Sequence, residues 1–416
     1  MTNTLLKKID WGSDSTRALS LSTVAFTACF AVWTIFSIIG VRIADDLGLT
    51  ETEFGLLVGT PILTGSLSRI VLGVLTDRYG GRLVFTATMV AAALATFLLA
   101  HAESYTAILG AAVGVGLAGG SFAVGVAYVS RFFPAKAQGT ALGIFGVGNV
   151  GAAVTSFVAP FVLVALGWQA VAQIWASVLL VTAIGFWFLS ENPVSDTEDE
   201  KRSFWAEFKP LQHVQVWRFA AYYFFVFGAF VALALWLPRY LIGVYGFDIA
   251  TAGMIGAAYS IPGAIFRAYG GYLSDRMGAR KVMYWTLAVS LVSCFILSMP
   301  PAQSGLIGVG PLVFIGVVFV LGFFMSLGKA AVYKHIPVYY PNSVGAVGGL
   351  VGMIGGLGGF FLPLAFGALR DTTGLWTSCF MLLFLLVGGL LLWMHVAVRR
   401  MTRAESAPAS EAVALQ

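Results

Sequence analysis

Apolar stretches of roughly 20 residues, each closed by a short polar break, recur along the chain from residue 20 almost to residue 398. About 20 residues is the length an α-helix needs to cross ~30 Å of hydrocarbon. Twelve such stretches are predicted, at 20–42, 53–75, 83–101, 106–130, 139–165, 168–190, 216–242, 251–274, 281–299, 308–335, 344–369 and 375–398. They are too long and too uniformly apolar for the alternating strands of a membrane barrel, whereas helices close their backbone hydrogen bonds internally. The expected fold class is an all-α membrane protein with twelve transmembrane helices. A mixed-charge segment (Lys7, Lys8, Asp10, Asp14, Arg17) precedes the first stretch, and no small-residue cleavage site follows it. It reads as a retained helix and not as a signal peptide.

Composition agrees: of 416 residues, 59% are hydrophobic and only 10% charged, with mean hydropathy +0.88, more apolar surface than a water-soluble fold hides. Charge placement then sets the expected orientation. Of the 24 Lys and Arg, Arg42, Arg239 and Arg370 fall on one side of the membrane, Arg69, Arg267 and Lys329 fall inside the apolar stretches, and the rest lie on the side holding both termini. By the positive-inside rule both termini are expected in the cytoplasm, with the chain multi-pass in the inner membrane. The basic balance therefore reflects topology, and no nucleic-acid partner is expected. Cys29, Cys294 and Cys379 all sit in apolar runs and read as small packing residues.

The longest internal polar stretch, Glu191 to His213, follows the sixth apolar segment. It divides the chain into an N-terminal six-helix half (1–190), a cytoplasmic linker (191–213), a C-terminal six-helix half (214–398) and a cytoplasmic tail (399–416). Self-similarity supports the division. At an offset of 198 residues, Gly55 meets Gly253, Gly65 meets Gly263, Arg69 meets Arg267, Gly73 meets Gly271, Asp77 meets Asp275, Arg78 meets Arg276, Gly80 meets Gly278 and Arg82 meets Arg280. The segments GVLTDRYGGR (73–82) and GYLSDRMGARK (271–281) resemble the loop motif of the major facilitator superfamily, whose parallel six-helix halves hold substrate between them. Asp77, Arg78, Asp275 and Arg276 are expected to make charge-assisted contacts with neighbouring helix ends that break when the halves rock.

All 19 Asp and Glu fall in loops, tails or helix ends, so the membrane interior holds cations without carboxylates. An unpaired intramembrane Arg costs several kcal/mol and is by default a functional hypothesis. Arg69 and Arg267 occupy equivalent positions of the repeat and are expected to face each other between the halves. Two guanidiniums without a nearby acid repel unless an anion lies between them, and each offers a planar fork of donors suited to a planar oxyanion. Glycine-rich runs on the fifth and eleventh helices, GTALGIFGVGNVG (139–151) and GAVGGLVGMIGGLGGFFLP (345–363), permit close helix approach, and the Asn149 amide among them can donate to and accept from a small ligand.

The runs carrying Gly146, Gly148, Asn149 and Gly151, and Gly355, Gly356 and Gly358, resemble the paired signatures of the nitrate/nitrite porter family, and Arg69 and Arg267 match its substrate arginines. The resemblance covers nearly the whole chain. It implies nitrate or nitrite between Arg69 and Arg267, sandwiched by aromatic side chains at Phe36, Phe122, Tyr223 and Phe227, with Tyr223 donating a hydrogen bond. The tenth helix, LGKAAVYKHIPVYYP (327–341), departs from the family's exchangers and resembles its nitrate/proton symporter branch. Lys329 is expected either to add a third positive charge to the anion path or to carry the coupled proton, with His335 as a candidate partner. Nitrate/nitrite antiport is the alternative, and another small-anion exchanger the next. The expected partners are nitrate, nitrite, protons and lipid, with the chain a monomer. Neither a cofactor, a metal nor an enzymatic reaction is expected, since no metal cluster, nucleophile with a base, or phosphate loop is visible. Tails and linker are too short for the output domain of a receptor.

Overall fold

A computed structural model describes residues 13–191, 204–302, 308–340 and 344–406. Twelve helices long and apolar enough to span a membrane occupy them: α1 (Asp14–Leu47), α2 (Glu51–Tyr79), α3 (Gly81–Leu99), α4 (Tyr105–Ser130), α5 (Thr140–Leu166), α6 (Trp168–Leu189), α7 (Val214–Tyr245), α8 (Ile249–Met277), α9 (Ala279–Leu297), α10 (Pro311–Tyr339), α11 (Ala346–Thr373) and α12 (Ser378–Thr402). Each overlaps a predicted stretch. Several run beyond it, because capped polar turns extend the helix past the hydrocarbon. With an even number of crossings, α1 begins and α12 ends on the same face, called here the terminal face; the opposite one is the distal face. Most of the expected 191–213 linker lies outside the described residues.

The repeat seen in the sequence is a repeat of structure. Helices α2 and α8 are both 29 residues long and start and stop at the same offset of the repeat. Thr50 caps α2, its side chain accepting from the Glu53 amide; Asp248 caps α8 through the amides of Ala250 and Thr251. Such caps satisfy amides that a helix start leaves open. Both helices end on glycines in the left-handed half of backbone space, Gly80 (φ +84°) and Gly278 (φ +86°), where a β-carbon is strained and the chain can fold straight into the next helix.

Helices α1 and α7 are the inner members of the two halves: 83% and 89% of their most apolar stretches are buried, against 28% for α12. Large apolar side chains such as Val164, Phe188 and Leu385 are exposed on the outer surface, as expected where lipid is the solvent. The three cysteines are buried and free.

At the distal face the halves are closed together. A β-carbon at Gly55 of α2 would collide with the Pro363 backbone of α11, and one at Gly367 with the Glu51 backbone, so glycine is what permits the contact. Across the same seam Asp371 accepts from the amides of Glu51 (3.1 Å) and Thr52 (2.8 Å). Arg239 joins it by donating to Asp45 (2.7 Å) and Glu51 (2.9 Å). One turn beyond the arginines toward the terminal face, β-carbons at Gly73 and Gly271 would meet nothing within 4 Å.

Candidate functional site

Arg69 lies about two-thirds of the way along α2, on the terminal side of its middle, and Arg267 at the equivalent point of α8. Arg69 is 7% exposed. One terminal nitrogen donates to the Gly352 carbonyl of α11 at 3.0 Å, a bond across the two halves. Its guanidinium stands over Trp33 (5.8 Å), Phe122 (5.6 Å) and Phe227 (5.5 Å). Three ring faces stabilise the cation without neutralising it. Two buried donors remain without a partner at this spot, Arg69 Nε and the hydroxyl of Ser66 one turn earlier. An unmade bond at a buried donor costs about 1–3 kcal/mol, so donors aimed into a common space signal a ligand.

Arg267 is half-buried and stands 5.8 Å from the centre of the Tyr333 ring. Tyr333 donates to the Gly348 carbonyl at 3.1 Å and packs edge-on to Tyr223 at 5.0 Å. Gly352 of α11 lies against both the Tyr333 hydroxyl and the Arg69 guanidinium. Among the described residues, neither arginine forms an ion pair with a carboxylate. The arrangement is a positively charged, aromatic-lined cluster at the seam, on the terminal side of the distal contacts.

Glycines shape the surroundings of this cluster. A β-carbon at Gly355 would meet Tyr223 at 2.5 Å, one at Gly356 would meet Ser66 Oγ at 2.5 Å, and one at Gly358 would meet the Phe224 carbonyl at 2.7 Å. Gly148 and Gly151 bring α5 against Phe26 and Thr27 of α1 in the same way, while Gly146 faces open space. Gly146–Val150 is a 3₁₀ turn within α5 that carries Asn149, and Phe224–Ala229 is a π-helical turn within α7 that carries Phe227. Irregular turns of both kinds are common at functional sites.

Several sequence-predicted residues fall elsewhere. Phe36 does not reach the guanidinium; Trp33 does. The helix of α1 stops at Trp33 and restarts at Phe36, and the Trp33 indole is fixed by donating to the Pro61 carbonyl of α2 at 2.7 Å. Lys329 is buried beside Phe230, its ammonium 3.1 Å from the ring centre, in a cavity with Asn149 and apart from Arg69. His335 stacks on Phe219 at 5.6 Å, toward the terminal face, and is not brought to Lys329. Asp77 and Asp275 do make the expected charge-assisted contacts with neighbouring helices, Asp77 with Arg131 at the end of α4 (3.0 Å) and Asp275 with Lys334 of α10 (2.5 Å), each inside its own half. Arg78 is exposed, and Arg276 rests on Tyr272 at 5.3 Å. Tyr333, Trp33 and Ser66 belong to the cluster and were not predicted; the available signal for Tyr333 was its place one turn after Lys329.

The family model described as Major Facilitator Superfamily matches residues 21–256 and 244–415. Among similar proteins are a "Probable nitrate/nitrite antiporter NarK1" of Thermus thermophilus, 43% identical over 94% of each chain. The "Nitrite extrusion protein" of Bacillus subtilis (strain 168) is 32% identical over 93% of this chain and 96% of its own. Solved structures share the fold. A bacterial homologue of the human lysosomal transporter Spinster, inward-facing and unoccupied, aligns at TM-score 0.69 and 17% identity over 93% of this chain and 96% of that one. The nucleoside transporter NupG aligns at 0.71 and 12% over 91% and 99%. The chain is thus a multi-pass membrane transporter, not an enzyme, and belongs to the major facilitator superfamily and, within it, to the nitrate/nitrite porter family.

Proposed function

We propose that this protein moves nitrate across the inner membrane by alternating access, coupled to proton entry, with both termini in the cytoplasm. The observation that carries the reading is a pair of cations with no carboxylate partner among the described residues: Arg69, with an open buried Nε, stands with Tyr333 against Gly352, and Arg267 stands over the Tyr333 ring. The names of the similar proteins, nitrate/nitrite antiporter and nitrite extrusion protein, support nitrate and nitrite as the anions. A flat oxyanion supplies the missing negative charge, accepts from both forks and fits between aromatic faces.

The terminal face is then the cytoplasmic one, and the distal contacts close the opposite side. The anion offsets the repulsion between arginines, the halves close over it, and the distal seam through Asp371 and Arg239 parts. Proton coupling is assigned to Lys329, a buried amine that can lose its charge where no carboxylate is available. Exchange of nitrate for nitrite is the second reading, favoured by the name of the Thermus relative. Proteoliposomes separate the two. Symport requires that nitrate uptake follow an imposed pH gradient with no nitrite inside; uptake seen only with nitrite inside establishes exchange instead.

A further inference from the structure

The Lys329 ammonium lines a cavity of about 20 Å³ whose walls include Thr34, Asn149, Phe227, Phe230 and Ser260. Phe227 belongs to both places: its ring lies 5.5 Å from the Arg69 guanidinium and 5.9 Å from the Lys329 ammonium. The cavity sits farther toward the distal face. Along α7, Tyr223 at the arginine level is followed by Phe227, Phe230, Val231 and Ala234 of the cavity wall; along α8, Ser260 precedes Arg267 by two turns, about 10 Å at 1.5 Å per residue.

The lining of this cavity asks for an anion. Ser260 is 4% exposed and its hydroxyl has no partner. Thr34 spends its proton on the Phe30 carbonyl at 3.0 Å and offers only lone pairs. Donation into the space therefore comes from the Lys329 ammonium, the Ser260 hydroxyl and the Asn149 amide, with one positive charge and, among the described residues, no carboxylate to meet it. A buried cation without a counter-charge is costly unless a guest supplies one. Two backbone irregularities border the cavity, the 3₁₀ turn under Asn149 and the π turn under Phe227. Each is a place where a helix can shift at low cost.

We propose that this cavity is a second anion station, distal to the arginine pair, and that Phe227 is the partition between the two. A small monovalent oxyanion rests on Lys329, Asn149 and Ser260 before or after it occupies the arginine cluster, and passes when the Phe227 ring turns aside on its π turn. The present volume admits about one water molecule, so an oxyanion enters only as that movement enlarges the space. The assignment rests on the anion-transport reading above and adds to it a two-step path with Lys329 as its distal foothold.

Equilibrium dialysis of the purified full-length protein against nitrate, with bound ion measured by ion chromatography, tests it. Two nitrates per chain are expected at saturation, falling to one in K329Q and to one in R69Q/R267Q. S260A, which keeps every charge, weakens one of the two sites at least threefold and leaves the other unchanged. Tryptophan-detected melting confirms folding of each variant, and S260A serves if K329Q does not fold. One nitrate per wild-type chain, unaffected by K329Q and S260A, overturns the second station and leaves the transport reading standing. No nitrate on folded wild-type protein overturns both.

Discussion

Replacing Arg69 or Arg267 by lysine keeps the charge and removes the fork, which isolates geometry from electrostatics. At Arg69 one terminal nitrogen is committed to the Gly352 carbonyl at 3.0 Å, while Nε is buried and open. A guanidinium can hold that carbonyl and an anion together. A lysine ammonium on a shorter head reaches one or the other, and it also loses the flat packing against Trp33, Phe122 and Phe227. One charge-assisted hydrogen bond to the anion is worth about 1.5–3 kcal/mol, which is roughly a 10- to 150-fold loss of affinity. Initial rates of nitrate uptake into proteoliposomes, measured across concentration, should show that loss for R69K and for R267K in protein that still melts cooperatively. Uptake by both variants within about twofold of the original would falsify the forked-donor account.

Other outcomes follow from the same contacts. Y333F removes the bond to the Gly348 carbonyl and, at about 0.5–1.5 kcal/mol, should weaken nitrate uptake roughly 2- to 10-fold; an unchanged half-saturation concentration counts against a role for Tyr333 between the arginines. G356A puts a methyl group 2.5 Å from Ser66 Oγ and should abolish transport, with partial recovery in G356A/S66G; a fully active G356A contradicts the close approach of α2 and α11. R239Q breaks the contacts to Glu51 and Asp45 at the distal seam. Discounted for partial exposure to about 1 kcal/mol, this should raise the distal-open population about fivefold, read as lengthened electron-spin distances between labels at Leu47 and Leu375, both exposed; an unchanged distance distribution removes the seam from the gating account.

Much of this architecture is legible in the residues because lipid imposes a simple code. Apolar runs mark the helices, and the 198-residue offset survives as the shared start and stop of α2 and α8. The arginine pair stands out because cations in such runs are rare. Side-chain direction was harder to read. The family resemblance implied Phe36, but a break in α1 turns Trp33 to the site instead. A π turn shifts register by a residue, so the sequence did not reveal that Phe227 borders two compartments or that Lys329 and Asn149 lie in the distal one. Tyr333 was hidden beside a more conspicuous lysine. The distal seam depends on Asp371 and Arg239, charges that look like ordinary helix ends until their partners from the other half are placed opposite them.

Transport by this route requires the anion to sit between the two arginines. Diffraction from crystals of the protein grown in nitrate should show flat density between the two guanidiniums, with oxygens at about 2.7–3.0 Å from nitrogens of both Arg69 and Arg267. An empty site at saturating nitrate, with both forks bonded to protein carbonyls alone, would contradict it.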